Sequence, residues 1–584
     1  MPNFASILRV LSRHAFCGLA LFGLACGGAL AQTAPSPPQP NAGSVLQQVQ
    51  PSLIAPPRTE QDQPALRLPR AVSEPTAGGG AKVQVKGFRI AGLAAARADR
   101  LMPLLQKYVG PDKTLADLED AAKDLEVALQ REGLFLAQAY IPEQSLADGV
   151  VTVQVLEGRI GAVKIEVEPG VKVAPEFLDR IVDILRGNPV AERELIERAL
   201  FTLGDLRGIT VSTTLSPGDK IGQADLNIKV SPGANTAFSV DLDNGGSLFT
   251  GRYRANVSLD WFNPTGHGDV VSLRGQASDN LGSEFIRASW LTPINSQGTK
   301  LGIAASFLHY KLGSAVFEDL GAHGTAEDYS LQLLHPLIRS RNNNLFVQVS
   351  TNYRRFDDKV DSIGLDTRKD VTPYATFAVV GDFRDTFGGG GISNYSLGVV
   401  GGRLRIKDDD DIVVDQQNYK SAGGYAKLQL AASRLQLLPT KDYLFLAVSG
   451  QLASKNLDSS EKFSMGGPYG VRGYSSPESP SDSGLIGTWE YRKQIPIEAL
   501  PGDFVLSVFG DYGIADLHDD PRTLADPTAS AGGNVRRLVS HGVGVTYGSH
   551  IGLTVKGYVA ARGGLKAQSD DSRVRLYVLV SQQF

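Results

Sequence analysis

The sequence predicts two small α+β repeats followed by a transmembrane antiparallel β-barrel of about 16 strands. Three observations predict it. Glycine accounts for 64 of 584 residues, about 11% against a usual ~7%, as a chain with many turns and small-residue strands requires. From about residue 234 onward, period-two segments of about ten residues alternate with Gly/Asp/Asn/Ser-rich breaks, and helical stripes disappear. At ~22 residues per strand and connection this stretch accommodates roughly 16 strands. Upstream, residues 82–232 repeat one β-α-α-β-β unit of about 75 residues.

Composition excludes several classes. Beyond the N-terminus no apolar run reaches the ~18 residues that a helical membrane span needs. Lys plus Arg (58) nearly balances Asp plus Glu (62), so no basic field is available to hold a nucleic acid.

The N-terminus reads as a secretory signal, residues 1–31. Arg9, Arg13 and His14 flank a small and apolar run, Ala15 to Ala31, and Ala29-Leu30-Ala31 before Gln32 has the small-x-small form of a cleavage site. Cleavage between Ala31 and Gln32 removes Cys17 and Cys26, so the exported chain carries no thiol, no disulfide and no Cys metal site. Residues 32–81 form a Pro-rich extension, which composition makes an extended, semi-rigid spacer. One island, about 44–50, offers Ser44 as a cap and two helical turns ended by Pro51. A helix this short is marginal alone in water and must dock to persist.

The first repeat (82–158) opens with the alternating strand Val83–Ile90. Its second helix starts at Thr114, with Asp117 three residues on in a capping-box arrangement. Leu115, Leu118, Ala122, Leu125 and Leu129 then form one stripe, Gly133 stops it, and strands at 134–141 and 150–156 close the unit. The second repeat (159–232) runs as a strand at 160–167, helices near 174–187 and 191–203, and strands near 209–215 and 224–230. Neither first strand is followed by a Gly-rich phosphate loop.

In the barrel region (233–584), Tyr253, Ala255, Val257, Leu259 and Trp261 share one face, and Arg254, Asn256, Ser258 and Asp260 share the other. Val574, Leu576, Val578 and Val580 do the same in the last strand, which ends at Phe584. Export, a thiol-free chain, an aromatic C-terminus and long polar breaks favour a lipid-facing barrel over a soluble β protein. Asp408 to Asp411 reads as a solvated loop tip. In the segment Phe504 to Gly513, Leu506 and Val508 suit lipid, which turns Phe509, Asp511 and Gly513 toward the lumen. Arg472, on a loop between Gly470 and Gly473, offers a planar fork to Asp511. The alternative is a solvated pair contributing ~0–1 kcal/mol.

These residues resemble the two-partner secretion transporters, the haemagglutinin- and haemolysin-exporting members of the Omp85 superfamily. The resemblance spans nearly the whole mature chain. It rests on Asp243-Asn244-Gly245-Gly246 through Gly268-Asp269, which is similar to the family's first hairpin. It rests also on Gly466-Gly467 with Val471-Arg472-Gly473-Tyr474, and on Phe509-Gly510-Asp511-Tyr512-Gly513. Gln582, where such barrels more often carry an apolar residue, departs from the pattern. The resemblance implies two polypeptide-transport-associated (POTRA) domains in the periplasm and an outer-membrane barrel. It makes Val471, Arg472, Gly473 and Tyr474 the tip of a pore loop that locks onto Phe509, Asp511 and Gly513 of the wall. The 44–50 helix becomes a plug, and Phe584 the barrel-assembly signal. Implied partners are a large exoprotein, an adhesin or haemolysin unfolded in transit, outer-membrane lipid and the barrel-assembly machinery. No catalytic, cofactor-binding or metal-ligating set is expected. The seven histidines from His267 to His550 are scattered, and no Gly-x-Ser-x-Gly elbow suggests a lipase. An insertase of the same superfamily is the alternative, although such chains usually carry more repeats; a solute porin would have no use for two.

Overall fold

The computed structural model describes residues 40–49, 66–67 and 82–584, except 135, 147, 187–191, 221, 314–317, 364, 441, 498–500, 522–532, 565, 568 and 571. The signal segment, with Cys17, Cys26, Ala31 and Gln32, and most of the Pro-rich extension lie outside the described residues.

In the first repeat, Gly87–Ala91 runs parallel to Val150–Leu156, which pairs antiparallel with Gln138–Tyr140. Helices Ala95–Leu101 and Leu115–Arg131 pack on this sheet. The second helix begins with a reciprocal cap. The Thr114 hydroxyl accepts the Asp117 N–H at 3.3 Å, and the Asp117 carboxylate accepts the Thr114 N–H at 2.7 Å. Leu118, Ala122, Leu125 and Leu129 are buried, but Leu115 is half exposed and Ala121 takes an inward place. Leu118 already packs on Val85 and Val151, which leaves Leu115 beyond that cluster. The strand expected at 134–141 shortens to Gln138–Tyr140, because Leu134 and Ala137 sink into the helical core instead.

The second repeat places helices Pro175–Arg186 and Arg193–Gly204 over strands Arg159–Val167, Ile209–Pro217 and Gln223–Pro232. A fourth strand joins them from outside the repeat. Leu66–Arg67, within the extension expected to act as a spacer, pairs parallel with Thr213 and Thr214.

Sixteen antiparallel strands, from Thr236–Asp243 to Val574–Gln583, form a closed barrel. The first and last strands close it, with Ser239 opposite Gln583 and Asp243 opposite Leu579. Phe238 and Phe584 exchange backbone hydrogen bonds beyond that register, with ring centroids 5.6 Å apart. Val257, Leu259, Trp261, Leu506, Val508 and Leu576 are exposed on the outer wall. A closed ladder leaves no unpaired backbone edge, and an apolar outer band then suits hydrocarbon. The inner wall carries ion pairs, among them Arg254–Asp243, Arg274–Asp260 and Arg354–Asp328. One expectation holds only in part. Asp408 to Asp410 are solvated, but Asp409 to Asp411 open a helix, Asp409–Gln417, which Asp408 caps by accepting the N–H groups of Asp410 and Asp411. Carboxylates in a first helical turn face the positive end of the helix dipole, which favours the helix over an open loop.

The second repeat is bolted to the barrel rim. Arg339 donates Nε and Nη2 to Asp205 at 2.9 and 2.7 Å, both side chains being almost fully buried. Lys300 Nζ reaches the Asp205 carbonyl at 3.2 Å, and the Arg207 N–H donates to the Gly268 carbonyl.

Candidate functional site in the barrel lumen

The connection from Tyr443–Ala453 to Ser483–Gln494 folds inward rather than out to solvent. Its tip is a tight hairpin. The Val471 N–H donates to the Met465 carbonyl at 2.7 Å and the Gly467 N–H to the Tyr474 carbonyl at 3.0 Å. Val471 and Tyr474 are fully buried, packed with Met465, Ile486, Ala515 and Leu538. Tyr577 of the last strand donates its hydroxyl to the Tyr474 carbonyl at 2.8 Å.

This packing delivers Arg472 to the wall. Its Nε and Nη2 donate to Asp511 at 3.0 and 2.8 Å, and its backbone N–H donates to the same carboxylate at 3.0 Å. Thr488 and Ser540 hydroxyls also donate to Asp511, at 3.1 and 2.8 Å. Nη1 turns to Glu490 at 3.0 Å, whose other oxygen accepts Nε of Arg492. The guanidinium carbon lies 3.3 Å from the Phe509 ring centroid, and Tyr558 meets Phe509 edge-on. Planar hydrogen bonding and ring stacking together need an arginine; a lysine would supply neither. The cation is 5% exposed and Asp511 3%, so the pair lies far from the weak, solvated limit.

Two glycines make the approach possible. A Cβ on Gly513 would lie 2.9 Å from Val471 Cγ2 and 3.2 Å from Met465 Sδ. A Cβ on Gly473 would lie 2.8 Å from Ser540 Cβ and 3.1 Å from the Arg562 Cα.

Helix α1, Ala42–Val49, occupies another part of the lumen. Ala42, Val45 and Leu46 are buried against Phe285, Leu308, Tyr310 and Phe356. The strand neighbours Ile286 and Phe307 face outward, which fixes these contacts on the inner wall. The cap is Asn41 rather than Ser44. Asn41 Oδ1 accepts the Ser44 N–H, and Ser44 Oγ accepts the Asn41 N–H, both at 3.0 Å. The reciprocal pair starts the helix three residues earlier than a cap at Ser44 alone would. The N–H of Ala42, left over at the helix start, donates to Asp358 at 2.9 Å, and Ser459 Oγ donates to Asn41 Oδ1 at 2.8 Å. Ser459 belongs to the same inward connection that carries Arg472.

A family model for the haemolysin secretion/activation protein ShlB/FhaC/HecB matches residues 222–533, more than half of the chain. This protein belongs to the ShlB/FhaC/HecB family. A ShlB-type POTRA domain also matches residues 83–158. The chain is 26% identical over 453 residues to the heme/hemopexin transporter protein HuxB of Haemophilus influenzae, covering 77% of this chain and 78% of that one. It is 28% identical over 261 residues to the outer membrane transporter CdiB-2 of Burkholderia pseudomallei, covering 44% and 43%. The solved structure of CdiB from Escherichia coli superposes with a TM-score of 0.66 at 19% identity, over 88% of this chain and 93% of that one. As a ShlB/FhaC/HecB protein, the chain is an outer-membrane transporter of two-partner secretion, with its POTRA repeats on the periplasmic side. It works with a secreted exoprotein, and the family favours this over the insertase alternative.

Within this ShlB/FhaC/HecB barrel, the structure brings Val471, Arg472, Gly473 and Tyr474 together with Phe509, Asp511 and Gly513 in one site, and sets Phe584 apart at the barrel seam. Sequence reasoning missed Glu490, Thr488 and Ser540. Thr488, Glu490 and Arg492 alternate with the outward Trp489 and Tyr491, a signal that places them on the inner wall, but their nearness to Asp511 follows from the register of Thr488 opposite it.

Proposed function

We propose that α1 and the Arg472 loop together close the resting pore, and that an unfolded adhesin or haemolysin passes once they leave. In this reading the mature protein divides into an extension (32–81), POTRA repeats (82–158 and 159–232) that receive the passenger, and the barrel (233–584). The observation that carries it is the shared occupancy of the lumen: α1 on Leu308 and Phe356, and Arg472 on Asp511. A polar inner wall offers water to an extended backbone in transit, so exposed peptide groups cost little there. Recognition by strand addition at the repeats uses main-chain hydrogen bonds that any unfolded chain can supply. Arg472, tied to two carboxylates, acts as the lock of the loop, and Val471 and Tyr474 as its anchors. Lipid covers the outer band, and Phe584 presents the nascent barrel to the assembly machinery after cleavage at Ala31–Gln32.

Planar-bilayer conductance tests the closure. Removing residues 41–49 should raise conductance several-fold, and breaking Arg472–Asp511 in the same background should raise it again. Equal conductance in all three proteins would sink the reading.

A further inference from the structure

We propose that the lumen holds an oxyanion-binding site behind the inward loop, formed by Arg536 and Arg562 with Arg575 beside them, and that a small free anion of the phosphate or sulfate class seated there holds the loop against the wall. Binding at this site stands apart from the closure reading above; the effect on the loop rests on it.

Alternation sets the three side chains on the inner wall. In the strand Val535–Gly548, Arg536, Leu538 and Ser540 are buried, and the exposed Val535 and Arg537 take the other parity. In Val574–Gln583, Arg575 and Tyr577 are buried between the exposed Val574, Leu576 and Val578. Arg562 lies opposite Ser540, and Ala560, two residues before it, lies opposite Arg575. Arg562 and Arg575 are therefore diagonal neighbours on one face, within reach of long side chains. The loop covers this corner. A Cβ on Gly473 would lie 3.1 Å from the Arg562 Cα, and Arg562 and Arg536 are both among the charged groups around the Tyr474 side chain.

The acids nearby do not neutralise these cations. Asp570 accepts Nη2 of Arg575. Glu478 accepts the Ser569 N–H and hydroxyl at 3.3 and 2.9 Å and acts on Arg536 through space. Among the described residues, Nε and Nη2 of Arg536, Nη1 of Arg562 and Nε of Arg575 are buried without an acceptor. Arg536 is 3% exposed and Arg575 6%. Arg472 is the contrast, since its Nε, Nη1 and Nη2 each meet a carboxylate. A guanidinium taken out of water without a counter-charge is costly. Its planar N–H fork matches the oxygens of phosphate or sulfate. Inward parity turns these groups away from the phosphates of membrane lipid, and their place beneath the loop suits a small anion from solution.

Equilibrium dialysis of the full-length protein in dodecyl maltoside, a detergent without phosphate, tests the site with radiolabelled inorganic phosphate. Wild type should bind about one phosphate per chain, and sulfate should compete. Chloride at the same ionic strength should not, because salt screens a diffuse exposed charge far more than a buried one. Arg536→Gln and Arg562→Gln should each weaken binding roughly tenfold or more, the scale of a lost charge-assisted hydrogen bond. Arg537→Gln, on the outward parity of the same strand, should bind as wild type does. Heat-modifiable migration on a gel shows that the barrel is assembled. A second measurement needs no substitution: at constant ionic strength, phosphate should slow protease cleavage of wild type between 463 and 481 several-fold. Absence of bound phosphate, its displacement by chloride, or undiminished binding by both Gln variants would overturn the site. Unaltered cleavage despite bound phosphate would overturn its hold on the loop.

Discussion

Glu490 takes Nη1 of Arg472 at 3.0 Å while Asp511 takes Nε and Nη2 at 3.0 and 2.8 Å, so one loop cation is shared by carboxylates on neighbouring strands. The two acids are not equivalent. Asp511 collects three donors from Arg472 and one each from Thr488 and Ser540. Glu490 receives one from Arg472 and is balanced on its other oxygen by Arg492.

That asymmetry sets the order of mutational effects. Asp511→Ala leaves a buried arginine short of its main acceptor, and breaking a buried pair this way costs about 3–5 kcal/mol. Glu490→Gln keeps a hydrogen-bond acceptor and should cost about 1–2 kcal/mol. Secreted exoprotein per assembled barrel should therefore fall much further for Asp511→Ala. The exchange Arg472→Asp with Asp511→Arg should recover part of the loss. Recovery no better than either single change would exclude the pairing as the lock.

Gly513→Ala should loosen the loop without touching a charge. The added methyl would press on Val471 at 2.9 Å, and overpacking of this kind costs about 1–3 kcal/mol. Val471→Ala in the same chain should relieve it. Protease cleavage between 463 and 481 is the readout, rising in the single variant and falling back in the double.

The outer wall offers a test of the membrane setting. Leu506→Arg puts a cation on the lipid side of the strand that carries Phe509 and Asp511, next to the exposed Val508. A cation facing hydrocarbon costs about 2–4 kcal/mol near the midplane and little near the interfaces. The variant should refold into lipid vesicles at a lower urea midpoint than wild type, whereas Leu506→Phe should not. Equal midpoints would argue against lipid on this face.

The periplasmic repeats carry a pH dependence. The Thr114 backbone N–H, then its hydroxyl, hold the Asp117 carboxyl below its ordinary value. Stabilisation from the ionised cap is therefore complete above the usual carboxylate range and is lost as pH falls through the lowered value. Amide exchange at Leu118 in the full-length protein should be slower in wild type than in Asp117→Asn at about pH 6, above the ~3.9 of an unperturbed aspartate. The difference should vanish in strong acid. A difference that persists there would assign the effect to packing.

The fold was legible where one pattern ran long. Alternations such as 253–261 state both period and lipid face, and the Thr114 cap marks its helix start without tertiary help. The lock was half legible: the parity of Leu506 and Val508 turned Asp511 inward. The parity of Trp489 and Tyr491 turns Glu490 inward in the same way, but its place beside Asp511 needed the register of the two strands. The Asn41 cap was hidden because Ser44 satisfies the same preference three residues on. Leu66–Arg67 lay in a proline-rich context whose composition speaks for solvated backbone, and its pairing depends on a strand far along the chain, at Thr213 and Thr214. Asp408 to Asp411 misled because like charges usually repel, yet in a first helical turn they meet unpaired N–H groups.

The buried Asp205–Arg339 clamp has a mechanical corollary. Swivelling the second repeat would strip a dry ion pair of its partner, so the clamp opposes rotation of that repeat on the rim. Bending of the periplasmic arm is then left to the seam where Leu134 bridges Glu192. The clamp thereby sets the spacing between the second repeat and the barrel mouth, whatever the outermost repeat is doing.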